Sequence, residues 1–366
     1  MHQRREHIAK VCRQPVMAEG YRVHRRRPFL LAGKIRWCLI PKVGTTFVRH
    51  VASYIDRHSG EERPDAPPGA GSASTSDGSV STSDDSVSTS DDSASTSGHD
   101  DSVSTAVHSP SVSTARPTVA VLRDPYERLV AGYLDKVLLR PSWFPDLGHK
   151  IMKLSGVLGP TSKWSDRCSM YATFPQFVKY FINSEKSGKA RNTHFTPMSG
   201  QCDFCFKNFT FVSRLDTLYE DIDFIFRKSN VTLDLGSVDY SRDTKIKRVL
   251  DKEREFVDKC TDIFTAMKTM WYSYHARGII LDSIPLPFTQ PQSKSVTPEQ
   301  FSQVYDDAVR LSKPKIDSRK QKRKFLVQMY LEVPLLDRQT LVELLKKDFA
   351  LSQHDPWPRD IFPELS

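Results

Sequence analysis

Two stretches of this chain, Trp37-Cys-Leu-Ile-Pro-Lys-Val-Gly-Thr-Thr46 and Val119-Ala-Val-Leu-Arg-Asp-Pro-Tyr-Glu-Arg-Leu-Val-Ala-Gly-Tyr133, follow one pattern. In each, a short apolar run ends near a basic residue and passes into a segment with helical periodicity. A strand that turns into a helix in this way sets backbone N–H groups and a cation around one point, the geometry of an anion site. Strands followed by helices also imply an α/β domain with a largely parallel sheet. Two such units point to one ligand carrying two anionic groups.

The connection between the units is not core material. From Ser72 a seven-residue repeat of Ser, Thr and Asp runs with hardly a side chain large enough to bury. Such a segment cannot offset its ordering entropy, so residues 59–115 are expected to be a disordered insertion. Two roles stay open for it, a plain solvated expansion or a segment phosphorylated or glycosylated on its hydroxyls. Residues 61–110 hold ten acidic residues against Arg63 alone. A tract at −9 in a chain at +9 leaves +18 on the remainder, which favours a polyanionic partner: nucleic acid, phosphorylated cofactor, anionic lipid or acidic polysaccharide.

No run of eighteen apolar residues occurs, so no transmembrane helix is expected, and residues 1–30 are too basic and interrupted for a signal peptide. As written, the chain reads as soluble. Of six cysteines, Cys202-Asp-Phe-Cys205 is the only close pair. With no second such pair or nearby histidine pair, a zinc site is poorly supported, and no strand precedes the pair as in a thioredoxin-type motif. A disulfide involving one or both cysteines is the better reading. Asn208-Phe-Thr210 and Asn230-Val-Thr232 are N-glycosylation sequons, consistent with a secretory lumen that also permits disulfides.

Periodicity places strands at 35–40, 118–122 and 209–212. Helices are expected at 44–57, 125–139, 174–183 and 215–227, with further helical stretches at 245–277, 298–312, 318–332 and 337–352. Residues 1–33 read as a basic lead-in arm, with the domain proper at 34–58 and 116–366.

In Pro41-Lys-Val-Gly-Thr-Thr46, Gly44 lets backbone approach a ligand, while Lys42, Thr45 and Thr46 supply donors where a helix begins. The spacing is not that of the nucleoside-triphosphatase loop, and a solvent-facing Lys42 is the bland alternative. Arg123 ends a strand where open α/β sheets bind ligands, and its guanidinium can take two phosphate oxygens at once. Asp124 and Pro125 read as cap and first turn, Glu127 and Arg128 as a local pair, and Tyr126, Leu129, Val130 and Tyr133 as side chains packing the helix on the sheet.

These residues resemble the Golgi carbohydrate sulfotransferases of the chondroitin and dermatan 4-O-sulfotransferase and HNK-1 sulfotransferase group. That family carries P-K-V-x-x-T for a 5′-phosphosulfate and R-[DE]-P-[FY]-E-R-L-[VL]-S-A-[YF] for a 3′-phosphate. The likeness continues in order through Phe174-x-x-Phe177-Val178, Asn192-Thr-His-Phe195, Cys202-x-x-Cys205 and Leu215–Asp221. Arg5–Cys12 looks like the family's lead-in and Leu341–Leu351 like its last helix. The resemblance implies a P-loop-like sulfotransferase fold, with a mostly parallel central sheet flanked by helices. Onto it are added the Ser/Asp-rich insertion and a longer, mostly helical region at 222–332.

It further implies transfer of a sulfuryl group from 3′-phosphoadenosine 5′-phosphosulfate to a hydroxyl of a glycan, an acidic one such as a glycosaminoglycan, without a metal. Lys42, Val43, Gly44, Thr45 and Thr46 would hold the 5′ side, and Arg123 and position 131 the 3′-phosphate. His194 would be the catalytic base beside Lys42, with Asp124, Glu127 or an acceptor-cleft residue as alternatives. Lys136, Arg140, Lys150, Lys153, Lys163 and Arg167 would line the acceptor cleft. Ala131 stands where the family has serine, a lost hydrogen bond of about 1 kcal/mol, and Phe195 where it has tryptophan. Ala131 and the long insertions favour one alternative: a catalytically degraded glycan- or nucleotide-binding member of the fold. No RNA-recognition or zinc-finger signature supports a nucleic-acid partner. Family members sit in the Golgi membrane, so membrane association would need an anchor not present in this chain.

Overall fold

A computed structural model describes residues 1–18, 29–32, 34–58, 116–139, 144–156, 171–189, 191–231, 250 and 262–365. The chain divides into a unit of Met1–Ser59 with Arg116–Ser366 and a unit of Gly60–Ala115. The second unit, with the Ser/Thr/Asp repeat, lies outside the described residues. In the first, the elements run α1 (His2–Cys12), α2 (Pro15–Ala18), β1 (Phe29–Ala32), β2 (Ile35–Cys38), α3 (Thr45–His58), β3 (Thr118–Leu122) and α4 (Pro125–Tyr133). A π-helical turn (Leu134–Leu138) follows, then α5 (Pro145–Leu154), α6 (Phe174–Ser187), β4 (Phe211–Arg214), α7 (Leu218–Lys228) and α8 (Ile263–Ala276). The chain continues through α9 (Gln290–Ser293), α10 (Pro298–Ser312), α11 (Ser318–Leu331) and α12 (Leu335–Ser352).

The described sheet has the order β1-β2-β3-β4. β2, β3 and β4 are parallel neighbours, with Cys38 opposite Ala120 and Leu122 opposite Arg214. β3 is central, and Val119–Leu122 are all buried, as a strand covered on both faces must be. β1 pairs antiparallel to β2. The parallel α/β core matches expectation; β1 and α1 lack the periodicity that would show them, whereas α5 was missed although Leu147, Ile151 and Leu154 follow a helical period.

Local chemistry sets most boundaries. Asp124 caps α4 by accepting the N–H groups of Tyr126 and Glu127 at 2.7 and 3.2 Å, with Pro125 in the first turn. α6 starts at a Thr173–Gln176 capping box and α10 at a Thr297–Gln300 one. The single helix expected over 125–139 instead widens after Tyr133, where the Leu139 N–H reaches the Leu134 carbonyl at 3.0 Å. β4 begins two residues later than its apolar run, because Phe209 packs on Phe204 with ring centroids 5.4 Å apart.

Three apolar clusters form the interior. The sheet, α1, α3 and α7 share one, which includes Ile35, Trp37, Val119, Val212 and Ile222. A second joins α4, α6, α11 and α12 through Tyr126, Tyr133, Phe177, Tyr330 and Phe349. A third lies around Trp271, Tyr274, Phe301 and Tyr305 of α8 and α10. Tyr126, Leu129, Val130 and Tyr133 therefore pack α4 into the helical cluster rather than onto the sheet, where their spacing had placed them. Two disulfides tie distant parts to the loop before β4: Cys12, the last residue of α1, to Cys205, and Cys38 of β2 to Cys202. Cys202 and Cys205 thus serve different partners, and neither bonds the other.

Candidate functional site

Each parallel strand delivers one cation at its C-terminal end. Lys42 lies four residues past β2, Arg123 directly follows β3, and Arg214 is the last residue of β4. In the register Arg214 stands beside Leu122, so its backbone neighbours Arg123 across the sheet edge. Sequence reasoning found the first two and missed Arg214, whose strand was set too early.

The turn from β2 to α3 is held by two arginines of the other unit of the pattern. Arg128, 2% exposed, donates from Nε to the Pro41 carbonyl at 3.0 Å, and from Nη1 to the Phe195 carbonyl at 3.3 Å. Arg123 donates from Nη1 to the Lys42 carbonyl at 2.9 Å. Its Nε and Nη2 both reach Glu127 at 3.3 Å, so Glu127 is paired with Arg123 and not with Arg128, as adjacency in sequence had implied. A buried guanidinium spread over backbone carbonyls makes Arg128 a scaffold for both loops. Its five donors match a need that no sequence period displays.

Lys42 has φ 71° and Gly44 φ 90°, two left-handed residues in one turn. The space at Gly44 is already occupied: a Cβ there would stand 3.0 Å from Leu215 Cδ1 and from Leu218 Cδ2. The glycine therefore lets α7 approach, in addition to turning the chain. Val43 is buried, Thr45 is half-buried and Thr46 exposed at the first turn of α3, where the leading N–H groups have no intrahelical acceptor.

Lys42 Nζ pairs with Asp135, a residue of the π-helical turn. Lys136 Nζ lies 3.6 Å from the same Asp135 oxygen and 4.1 Å from the centre of the Phe144 ring. The His194 ring meets Phe144 edge-on at 5.8 Å. One run of contacts thus leads from Lys42 through Asp135, Lys136 and Phe144 to His194. Asn192 Oδ1 accepts both the His194 N–H and its Nδ1, each at 2.9 Å. With Nδ1 donating, Nε2 is the basic nitrogen. Asp135 was not singled out by sequence; its signal is a carboxylate buried beside a lysine on a π turn, a feature that tertiary structure alone displays.

Asp348 of α12 fixes the loop after His194. It is buried and accepts the N–H groups of Met198 and Ser199 at 2.7 and 2.8 Å, and burial pushes its carboxyl above the usual range. Burial raises Asp124 likewise, opposed by the nearby His354. Ala131 is half-buried on α4, and Lys150 and Lys153 lie on α5. Arg140, Lys163 and Arg167 fall outside the described residues. Among the described residues no group of three or more His, Cys, Asp or Glu is arranged to hold a metal ion.

An α/β domain with cations at the ends of parallel strands and a helix starting over them is an arrangement suited to an anionic ligand at the C-terminal edge of its sheet. The particular class is given by similarity: the chain belongs to the sulfotransferase family, whose model matches residues 32–262. Carbohydrate sulfotransferase 8 of Mus musculus is 27% identical over 107 residues, covering 29% of this chain and 25% of that protein. The chain therefore matches a quarter of the length of that curated relative. No solved structure matches it.

Proposed function

We propose that this protein is a carbohydrate sulfotransferase that moves the sulfuryl group of 3′-phosphoadenosine 5′-phosphosulfate to a hydroxyl of an anionic glycan. The observation that supports the reading is the link between Lys42 and Arg123: the Arg123 guanidinium grips the Lys42 carbonyl, so the two turns that carry these cations are joined directly. The likeness to a carbohydrate sulfotransferase supports the glycan acceptor.

The residues fit a doubly anionic ligand. Glu127, the partner of Arg123, is about half exposed, and such a pair is weak enough for a phosphate to replace it. Asp135 is different, because a buried carboxylate stripped of its cation is costly. Lys136 on the same oxygen keeps it paired while Lys42 turns to the ligand. When bound, the donor supplies an activated sulfuryl group and departs as adenosine 3′,5′-bisphosphate. Lys42 and the first N–H groups of α3 would hold its 5′ side and steady the leaving charge, and Arg123 its 3′-phosphate. His194 Nε2 would accept the proton of the sugar hydroxyl, its tautomer fixed by Asn192.

The disulfides support an oxidising compartment, in keeping with a Golgi lumen. No helix among the described residues is long and apolar enough to cross a membrane. Incubation with labelled donor and a panel of chondroitin, dermatan, heparan and HNK-1-type acceptors tests the reading. Transfer to one of them is expected. Binding of adenosine 3′,5′-bisphosphate without transfer would favour the degraded member that Ala131 hints at, and no binding at all would remove the proposal.

A further inference from the structure

We propose that Asn208 carries an N-linked glycan and that Phe206 is the platform on which its first sugar rests. Asn208-Phe209-Thr210 has the sequon pattern, and both Asn208 and Thr210 are exposed. Phe206, two residues upstream, is 76% exposed, more than any other large apolar side chain among the described residues. Its neighbours in sequence behave differently: Phe204 and Phe209 are buried against each other.

The backbone holds this arrangement in place. The N–H groups of Phe206 and Lys207 both donate to the Asp203 carbonyl at 2.9 Å, closing a turn that brings Phe206 out. Cys205, next to it, is tied to Cys12. Downstream, Thr118 Oγ1 donates to the Asn208 carbonyl at 3.0 Å. Thr118 and Thr210 exchange N–H to Oγ1 bonds at 3.1 and 3.2 Å. Asn208 therefore sits on a fixed support within about 7 Å of Phe206 along the chain, the reach of a first sugar ring. One face of N-acetylglucosamine presents C–H groups, and an aromatic face in water gains by covering it.

In this modification the Asn208 amide nitrogen bonds to C1 of N-acetylglucosamine. The bond from C1 to oxygen in a lipid-diphosphate-linked oligosaccharide breaks, an amide proton is lost and lipid diphosphate leaves. The compartment that makes the two disulfides is the one that holds this donor. The sequon lies at the start of β3 and β4, whereas Arg123 and Arg214 lie at their far ends, roughly 17 Å along a five-residue strand, and Lys42 follows the same end of β2. The glycan thus leaves the candidate site open. This inference does not depend on the sulfotransfer reading. It concerns Asn208 and not Asn230, which lies two residues past α7 at φ 51°.

The test is expression of the full chain, directed into the secretory pathway of animal cells, followed by peptide mass mapping and thermal melting. Asn208 is expected to carry hexosamine, lost in Asn208→Gln and kept in Thr210→Ser. Sulfate transfer is expected to be unchanged in Asn208→Gln. A double-mutant cycle then reads the platform: Asn208→Gln should lower Tm when Phe206 is present and leave it unchanged in Phe206→Ala. An unmodified Asn208 in secreted protein whose disulfides have formed would overturn the site. A glycosylated Asn208 whose contribution to Tm is the same with Phe206 or Ala would overturn the platform.

Discussion

Asp135 pairs with Lys42 across 93 residues of chain, and does so from a π-helical turn that also presents Lys136 to the same oxygen. A buried carboxylate between two lysines sets where each ammonium rests. Asp135→Asn keeps the shape and removes the charge, so Lys42 loses its fixed position. A fall in kcat of about tenfold to a hundredfold with a smaller change in donor KM is expected from misplacement. Equal loss in both, with a melting temperature far below normal, would mark a merely structural residue.

Lys42→Ala and Arg123→Ala should each weaken adenosine 3′,5′-bisphosphate binding by about tenfold to a hundredfold, the worth of a charge-assisted contact. Transfer should fall further, by about a hundredfold or more, in Lys42→Ala, because that cation also meets the leaving charge. Arg123→Lys should not restore binding, since one ammonium cannot both grip the Lys42 carbonyl and fork onto a phosphate. Calorimetry on the variants decides this.

Loss of either disulfide should be felt throughout the sheet cluster. Cys12–Cys205 and Cys38–Cys202 close separations of 193 and 164 residues. Each removal is expected to cost about 2–5 kcal/mol, and reduction of both to abolish cooperative unfolding. Melting of Cys12→Ser and Cys38→Ser against the parent, with and without reductant, checks it.

Stability should fall on mild acidification. Burial holds His275, and likewise His354, below the ordinary histidine value of 6.5. In that range the unfolded chain binds more protons than the folded one, so the contribution is complete above pH 6.5 and is lost as pH falls through the lower folded values. His275→Gln should flatten the decline. A melting temperature independent of pH between neutrality and the mildly acidic range would contradict this.

Gly132 is enforced by Phe195. A Cβ at position 132 would stand 2.7 Å from Cδ1 and Cε1 of that ring, which packs at 4.8 Å on Phe177. Gly132→Ala should cost about 1–3 kcal/mol through overpacking. Adding Phe195→Leu should recover part of it, and denaturant midpoints of the single and double variants measure the exchange.

What the residues declare by themselves is whatever local chemistry dictates. The apolar run Val119–Leu122, the Asp124-Pro125 cap and the capping boxes of α6 and α10 mark where their elements start. The strand-to-helix pattern likewise singled out Lys42 and Arg123, because a cation at a strand end is a feature of neighbouring residues. The likeness to sulfotransferases rested on the same short segments. Tertiary structure alone decided the rest: Arg128 on Pro41, Asp135 on Lys42, Cys12 on Cys205, and Leu215 against Gly44. Each joins residues far apart in the chain, and the sequence holds no period or spacing that expresses such a meeting. Burial is what gives these pairs their strength, and burial is a property of the folded whole.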